Sequence, residues 1–342
     1  MIESLPQSEP VLLPDRPFGR QARSVIGYSL LTALMIVARM PVFVPAALMH
    51  CAWRNGRRAA WAVLAISVLL VTVYAASVPA AKPDLRHMIW SSLAGVILTI
   101  ALPAMAAIPL VERAEKFGRV LMVLLAGALI GLTVTEVGSQ SLLSFSPYAA
   151  QVEQAGQLGA EVVQLYRANK MPSELIRMAE RASTFSTFVL PAQLLIALTL
   201  VYTLSLMMVG RLRAWQNQAA SRPPSDVVKA YLFRNFELPE WLLFAFVFGG
   251  LTPLVGGLLQ KVAANTLVVV VFLYILQGLA VFRSMLLAIG AGVIGTVIGW
   301  AALAMMFPLS MLLLGVAGLF DPFFDFRHFK KRKDDSHESH SD

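Results

Sequence analysis

Cysteine is nearly absent: one residue in 342, Cys51. That excludes a disulfide framework and a multi-thiolate metal site. Charge is scarce as well, at 14% of residues against about 25% in ordinary soluble domains. No Gly-Lys pair occurs anywhere, so the chain has no Walker-type phosphate loop and an ATP-driven role would need a partner ATPase. The five histidines (His50, His87, His328, His337 and His340) show no metal-ligand spacing. A Gly-x-Ser-x-Gly nucleophile elbow is missing too. No catalytic, cofactor-binding or metal site is expected, and the chain reads as a non-enzyme.

What is present is apolar surface in long runs. Hydrophobic residues make up 57% of the chain, and mean hydropathy is +0.68. The runs are each about 20 residues or longer, enough to cross a ~30 Å hydrocarbon core at 1.5 Å per residue. The expected fold is all-α: a polytopic transmembrane helical bundle with about 8 main spans. Clear spans lie at 59–77, 88–111, 118–135, 184–209, 240–260 and 262–285. Two runs are ambiguous. Residues 25–53 are interrupted by Arg39, Met40 and Pro41 and read as one bent helix or two arms of a re-entrant hairpin. Residues 286–320, with Pro308, read as a long span or two short passes, and two passes are favoured.

The organisation follows from composition. Residues 1–24 form a polar, proline-spotted tail without a signal-peptide cleavage pattern. The transmembrane domain covers 25–320. Within it, about 136–183 is an amphipathic helical insertion, broken at Met171 and Pro172, and 210–239 is a basic loop. Beyond it, 321–342 reads as a short interfacial helix and a charged tail. The net charge of +8 sits mostly in loops and tail, which reads as orientation toward an anionic leaflet and not as nucleic-acid binding. The basic loops at 54–58, 112–119 and 210–239 and the basic tail should be cytoplasmic, leaving 136–183 external. The expected location is a bacterial inner membrane, multi-pass, with the lipid bilayer as first partner.

Few polar residues interrupt the spans. Arg39 reads as snorkelling or a helix break beside Pro41, with contact to an anionic substrate as the sharper alternative. Gln193 follows Pro191, and Asn265, Tyr274 and Gln277 lie in one span. Tyr274 and Gln277 are three apart and share a helical face. Interhelical hydrogen bonding is the plain reading. A substrate pocket made by Gln193, Tyr274 and Gln277 is the functional one. Asp321 with Pro322 reads as an N-cap and first helical residue; Asp321 with Asp325 is a remote metal candidate. Gly127 with Gly131, Gly295 with Gly299, and the doubled glycines at 249–250 and 256–257 suit close helix packing or, at 249–257, a broken helix beside a cavity.

Three stretches carry a family likeness: FRNFELPEW at 233–241, FLYILQGLAV at 272–281 and GLFDPFFDFR at 318–327. In that order they resemble the YybS-like family of uncharacterised bacterial membrane proteins, over roughly residues 20–330. A looser likeness runs to the substrate-binding S components of energy-coupling-factor transporters. It implies a solute-binding or transport subunit driven by separate ATPase and coupling subunits. The chain departs from S components in having more spans and no alanines four apart within 25–53. The rival expectation is an envelope scaffold that docks other envelope proteins through 136–183 and the tail.

Overall fold

The computed structural model describes residues 18–38, 40–77, 83–219 and 226–324, and every regular element among them is helical. The first apolar run folds as two helices, α1 (Phe18–Val37) and α2 (Phe43–Asn55), with Pro41 in the turn between them. Arg39 lies outside the described residues. The arms are antiparallel. Asn55 donates to Ser24 Oγ at 2.9 Å, and its carbonyl accepts from Gln21 at 3.3 Å. The run therefore turns back on itself. With 13 residues, α2 is about 20 Å long, too short to cross. Every residue from Val44 to Ala52 is buried. Gly56, at φ 88°, then joins α2 to α3 (Arg57–Ser77) in a turn suited to a residue without Cβ.

The next pair is distorted for an identifiable reason. Helices α4 (Pro83–Val96) and α5 (Leu102–Glu112) are continuous through one π-helical turn, Ile97–Ala101. Pro103 has no N–H, so the Thr99 carbonyl four residues earlier loses its α-helical partner. The hydroxyl of Tyr202 donates to that carbonyl instead. Helix α6 (Phe117–Leu143) packs antiparallel alongside. Its Gly131 lies so close to the Leu98 carbonyl that a Cβ there would collide with it, and Gly127 meets Pro103. Close helix packing is thus what the Gly127 and Gly131 pair does.

The 136–183 stretch becomes the end of α6 and a hairpin, α7 (Pro147–Ala168) and α8 (Ser173–Phe188). Ser146 caps α7 by accepting the Ala149 N–H at 2.9 Å, with Pro147 at the first helical position. Glu136 of α6 accepts from the Tyr148 N–H at 2.9 Å, tying the hairpin to the bundle. The turn falls at Pro172, where the sequence placed it.

The remaining elements are α9 (Leu190–Ala219), α10 (Asp226–Ala230), α11 (Leu242–Gly250), α12 (Gly257–Ala288), α13 (Val293–Met305) and α14 (Phe307–Phe324). Between α11 and α12 lies a 3-10 turn, Thr252–Leu254, so the disruption at 249–257 is a chain reversal. Helix α14 runs antiparallel to α12. Added Cβ atoms at Gly278 and Gly318 would strike the backbone carbonyls of Leu314 and Tyr274. Among the described residues, six helical stretches have the length and apolarity to cross a membrane: Arg57–Ser77, Ile89–Glu112, Phe117–Leu143, Leu190–Gln218, Gly257–Ala288 and Phe307–Phe324. The count is below the eight expected because the apolar runs at 240–260 and 286–320 are divided by turns. Leu242–Leu254 and Val293–Met305 are shorter apolar helices, and only α14 of the last run is long enough.

One end of the bundle collects the basic loops. Arg57 pairs with Glu112 and Lys116 with Glu237. Buried Arg213 lies 4.9 Å from the centre of the Trp53 ring. Tyr231 packs beside Gly210 and Phe117, and burial pushes its phenol well above the ordinary tyrosine range. The α7–α8 hairpin leaves from the opposite end. There Asn265 of α12 accepts the Ala192 N–H at 2.9 Å and donates to the Phe188 carbonyl at 3.3 Å.

Candidate functional site

A cleft of about 1630 Å³ runs lengthwise between α6, α9, α11 and α12. At the basic end its rim carries Lys116, Arg119, Glu237, Glu240 and Trp241; at the other end lie Tyr148, Phe188 and Lys261. The trough between them is mostly apolar, with Met122, Ala126 and Leu129 on one wall and Val262, Thr266, Val269 and Leu273 facing them. From Lys261 to Gln277 the α12 wall measures about 24 Å at 1.5 Å per residue. The spacing is a consequence of helix composition: the apolar faces of α6 and α12 that do not meet each other are left to line the gap.

The most deeply buried polar group in the wall is a hydrogen-bonded node, while Asn265 and Thr266 of α12 also line the cleft, half-buried. Gln277 is 1% exposed. Its Oε1 accepts the Leu238 N–H at 3.1 Å, and its Nε2 donates to Asp321 Oδ2 at 3.1 Å. Leu238 belongs to the first stretch that carries the family likeness, Gln277 to the second and Asp321 to the third. Segments far apart in sequence thus converge on one amide.

The three residues expected to form a pocket are not brought together. Gln277 and Asp321 line the cleft. Tyr274, one turn from Gln277, is 5% exposed and packs edge-on against Phe246 at 6.0 Å. Gln193 is exposed and donates to Ser186 Oγ at 3.0 Å. It follows Pro191, which lines the cleft, but faces away because neighbouring helical residues point about 100° apart. Asp321 is also not an N-cap. It continues α14, and Pro322 falls inside the last turn of the same helix. Having no N–H, Pro322 leaves the Gly318 carbonyl four residues earlier without its α-helical donor, so the helix forgoes one bond there. Asp325 lies outside the described residues. Asn265, noted in the sequence as a polar interruption, satisfies backbone groups where α8 gives way to α9.

Asp321 as a partner for Gln277, the π turn and the cleft itself were not legible in the sequence. The first had a signal in retrospect. A carboxylate at the end of a strongly apolar run needs a donor, and Gln277 was the nearest buried amide in the list of polar interruptions.

These features define a class: an all-helical, multi-pass membrane protein with a lengthwise cleft between its spans. Residues 25–322 match the family model described as "Predicted membrane protein (DUF2232)", and the chain belongs to that family. Neither the curated proteins nor the solved structures yield a match.

Proposed function

We propose that this protein binds a small amphiphilic molecule along the cleft between α6, α9, α11 and α12 and performs no chemistry on it. The observation that carries the reading is the form of the cleft: a long, mostly apolar trough with charged rims, one buried polar node at Gln277 and Asp321, and Asn265 and Thr266 as its other uncharged polar side chains along α12. A polar vitamin-like solute would ask for several convergent hydrogen-bonding groups, whereas a chain-bearing molecule asks for apolar length. In an uptake system of the kind suggested by the YybS-like and S-component resemblance, this chain would be the binding subunit, with separate ATPase and coupling subunits in a bacterial inner membrane.

The test is a stabilisation screen in detergent with a plugged variant. Ala126 faces the cleft and is exposed, so Ala126→Trp fills space without displacing core. An amphiphile that binds should raise the wild-type melting temperature; at a hundredfold excess over Kd the linkage is about 2.7 kcal/mol. The plugged variant should lose that shift while keeping its own unliganded melting temperature. An equal shift in both proteins would place binding elsewhere.

A second reading, an envelope scaffold, is favoured by the α7–α8 hairpin. Leu158, Val162 and Leu165 on α7, and Met178 and Phe185 on α8, are exposed at helical spacing. Specific copurification of cell-wall or division proteins that is lost on deleting 147–188 would support the scaffold.

A further inference from the structure

We infer that the occupant of the cleft is a zwitterionic glycerophospholipid, seated with its headgroup at the basic end and one acyl chain along the trough. The inference rests on the binding reading above and adds the class and orientation of the ligand. The first argument is charge. The rim of the cleft at that end is of mixed sign, with Lys116 and Arg119 beside Glu237 and Glu240. A phosphate suits the two cations, and an ammonium a short distance along the same headgroup suits the carboxylates. A purely anionic headgroup would meet Glu237 and Glu240 unfavourably.

The second argument is exchangeability. Lys116 pairs with Glu237 at 3.3 Å, with side chains 79% and 47% exposed, and Arg119 pairs with Glu115 at 3.1 Å, 69% and 28% exposed. Exposed pairs of this kind contribute little to stability, so a headgroup can replace them at little cost. The third is level. Trp241 lines the same rim and is 55% exposed, and amphipathic indole rings settle at the headgroup layer of a bilayer. Below it the lining is mostly apolar, interrupted by the Gln277 and Asp321 node and, toward the far end, by Thr266 and Asn265. At the far end Lys261 lies beyond the trough, where a chain terminus would have no use for it.

The experiment measures the melting temperature of the full-length protein in detergent while titrating four lipids with the same acyl chains. These are phosphatidylethanolamine, phosphatidylcholine, phosphatidylglycerol and diacylglycerol. The two zwitterionic lipids should stabilise at the lowest concentrations. Lys116→Ala/Arg119→Ala and Glu237→Gln/Glu240→Gln should each require about three- to tenfold more phosphatidylethanolamine for half the shift. The wild-type lipid series stands without the variants, should either fold poorly. Equal or stronger stabilisation by phosphatidylglycerol would overturn the mixed-sign headgroup site. Equal stabilisation by diacylglycerol would overturn headgroup recognition while leaving amphiphile binding intact. If none of the four lipids nor any other amphiphile stabilises the wild type, both this inference and the binding reading fail.

Discussion

At the scale of single residues, the Gln277 amide decides more than its neighbours do. It is both acceptor and donor, and each partner is buried or part-buried against it. Removing one member of such a set leaves the others unsatisfied, at about 1–3 kcal/mol per group. Gln277→Leu should therefore lower thermal stability clearly. Asp321→Asn keeps an acceptor facing Nε2 and should cost less. The pair is tested by a double-mutant cycle: Gln277→Leu/Asp321→Leu should cost less than the two single leucine variants summed. Additive costs would mean that the two side chains do not act together. Tyr202 offers a cleaner deletion. Tyr202→Phe removes only the hydroxyl given to Thr99 and should destabilise by about 1 kcal/mol. Combined with Pro103→Ala, which restores an N–H for that carbonyl, the penalty should shrink. An undiminished penalty in the double variant would count against proline as the cause of the π turn.

At the scale of elements, glycine position sets how closely helices approach. Gly278 and Gly318 sit where α12 and α14 bring backbone against backbone, and a Cβ at either meets a carbonyl. Backbone cannot yield as a flexible side chain can. Gly318→Ala should push α14 away from α12 at about 1–3 kcal/mol. Gly138 on α6 has nothing within 4 Å of an added Cβ. Gly138→Ala should be neutral or stabilising by up to about 1 kcal/mol, through helix propensity. Melting temperatures of the two variants in one detergent make the comparison, and equal losses would show that the α12–α14 contact is looser than the geometry describes.

At the scale of the whole molecule, the prediction concerns sidedness. The α7–α8 hairpin and the 210–239 loop leave from opposite ends of the bundle. After Cys51→Ala, an impermeant thiol reagent should label Lys170→Cys and Lys229→Cys from opposite sides of the membrane. Labelling of both from one side would be incompatible with the arrangement of α6, α9 and α12. Two cues bear on the C-terminal tail. Its lysines and arginines favour the side of the basic loops, whereas α14 is a single crossing-length helix that runs from the basic end toward the hairpin end. Because α14 is held antiparallel to α12 by the Gly278 and Gly318 contact, we expect Ser336→Cys to label together with Lys170→Cys.

Membrane class, helical content and the better-defined spans follow from local sequence, because a long uncharged run can satisfy its backbone in lipid only by closing its own hydrogen bonds. The break at Pro172 and the start of α7 at Ser146 and Pro147 were equally local, being matters of capping and proline geometry. Other features depended on which helix lies beside which. Whether 25–53 turned back was undecided until Asn55 met Ser24 and Gln21. Gln193 and Gln277 look alike as polar interruptions of apolar runs, yet one faces outward to Ser186 and the other is enclosed by Leu238 and Asp321. Asp321 followed by Pro322 has the sequence of a helix start, but α14 carries it as a buried partner near a helix end. The cleft itself is surface that packing leaves uncovered. No single run of residues encodes it, since hydrophobic spacing specifies that a face is apolar and only the neighbouring helices determine whether anything covers that face.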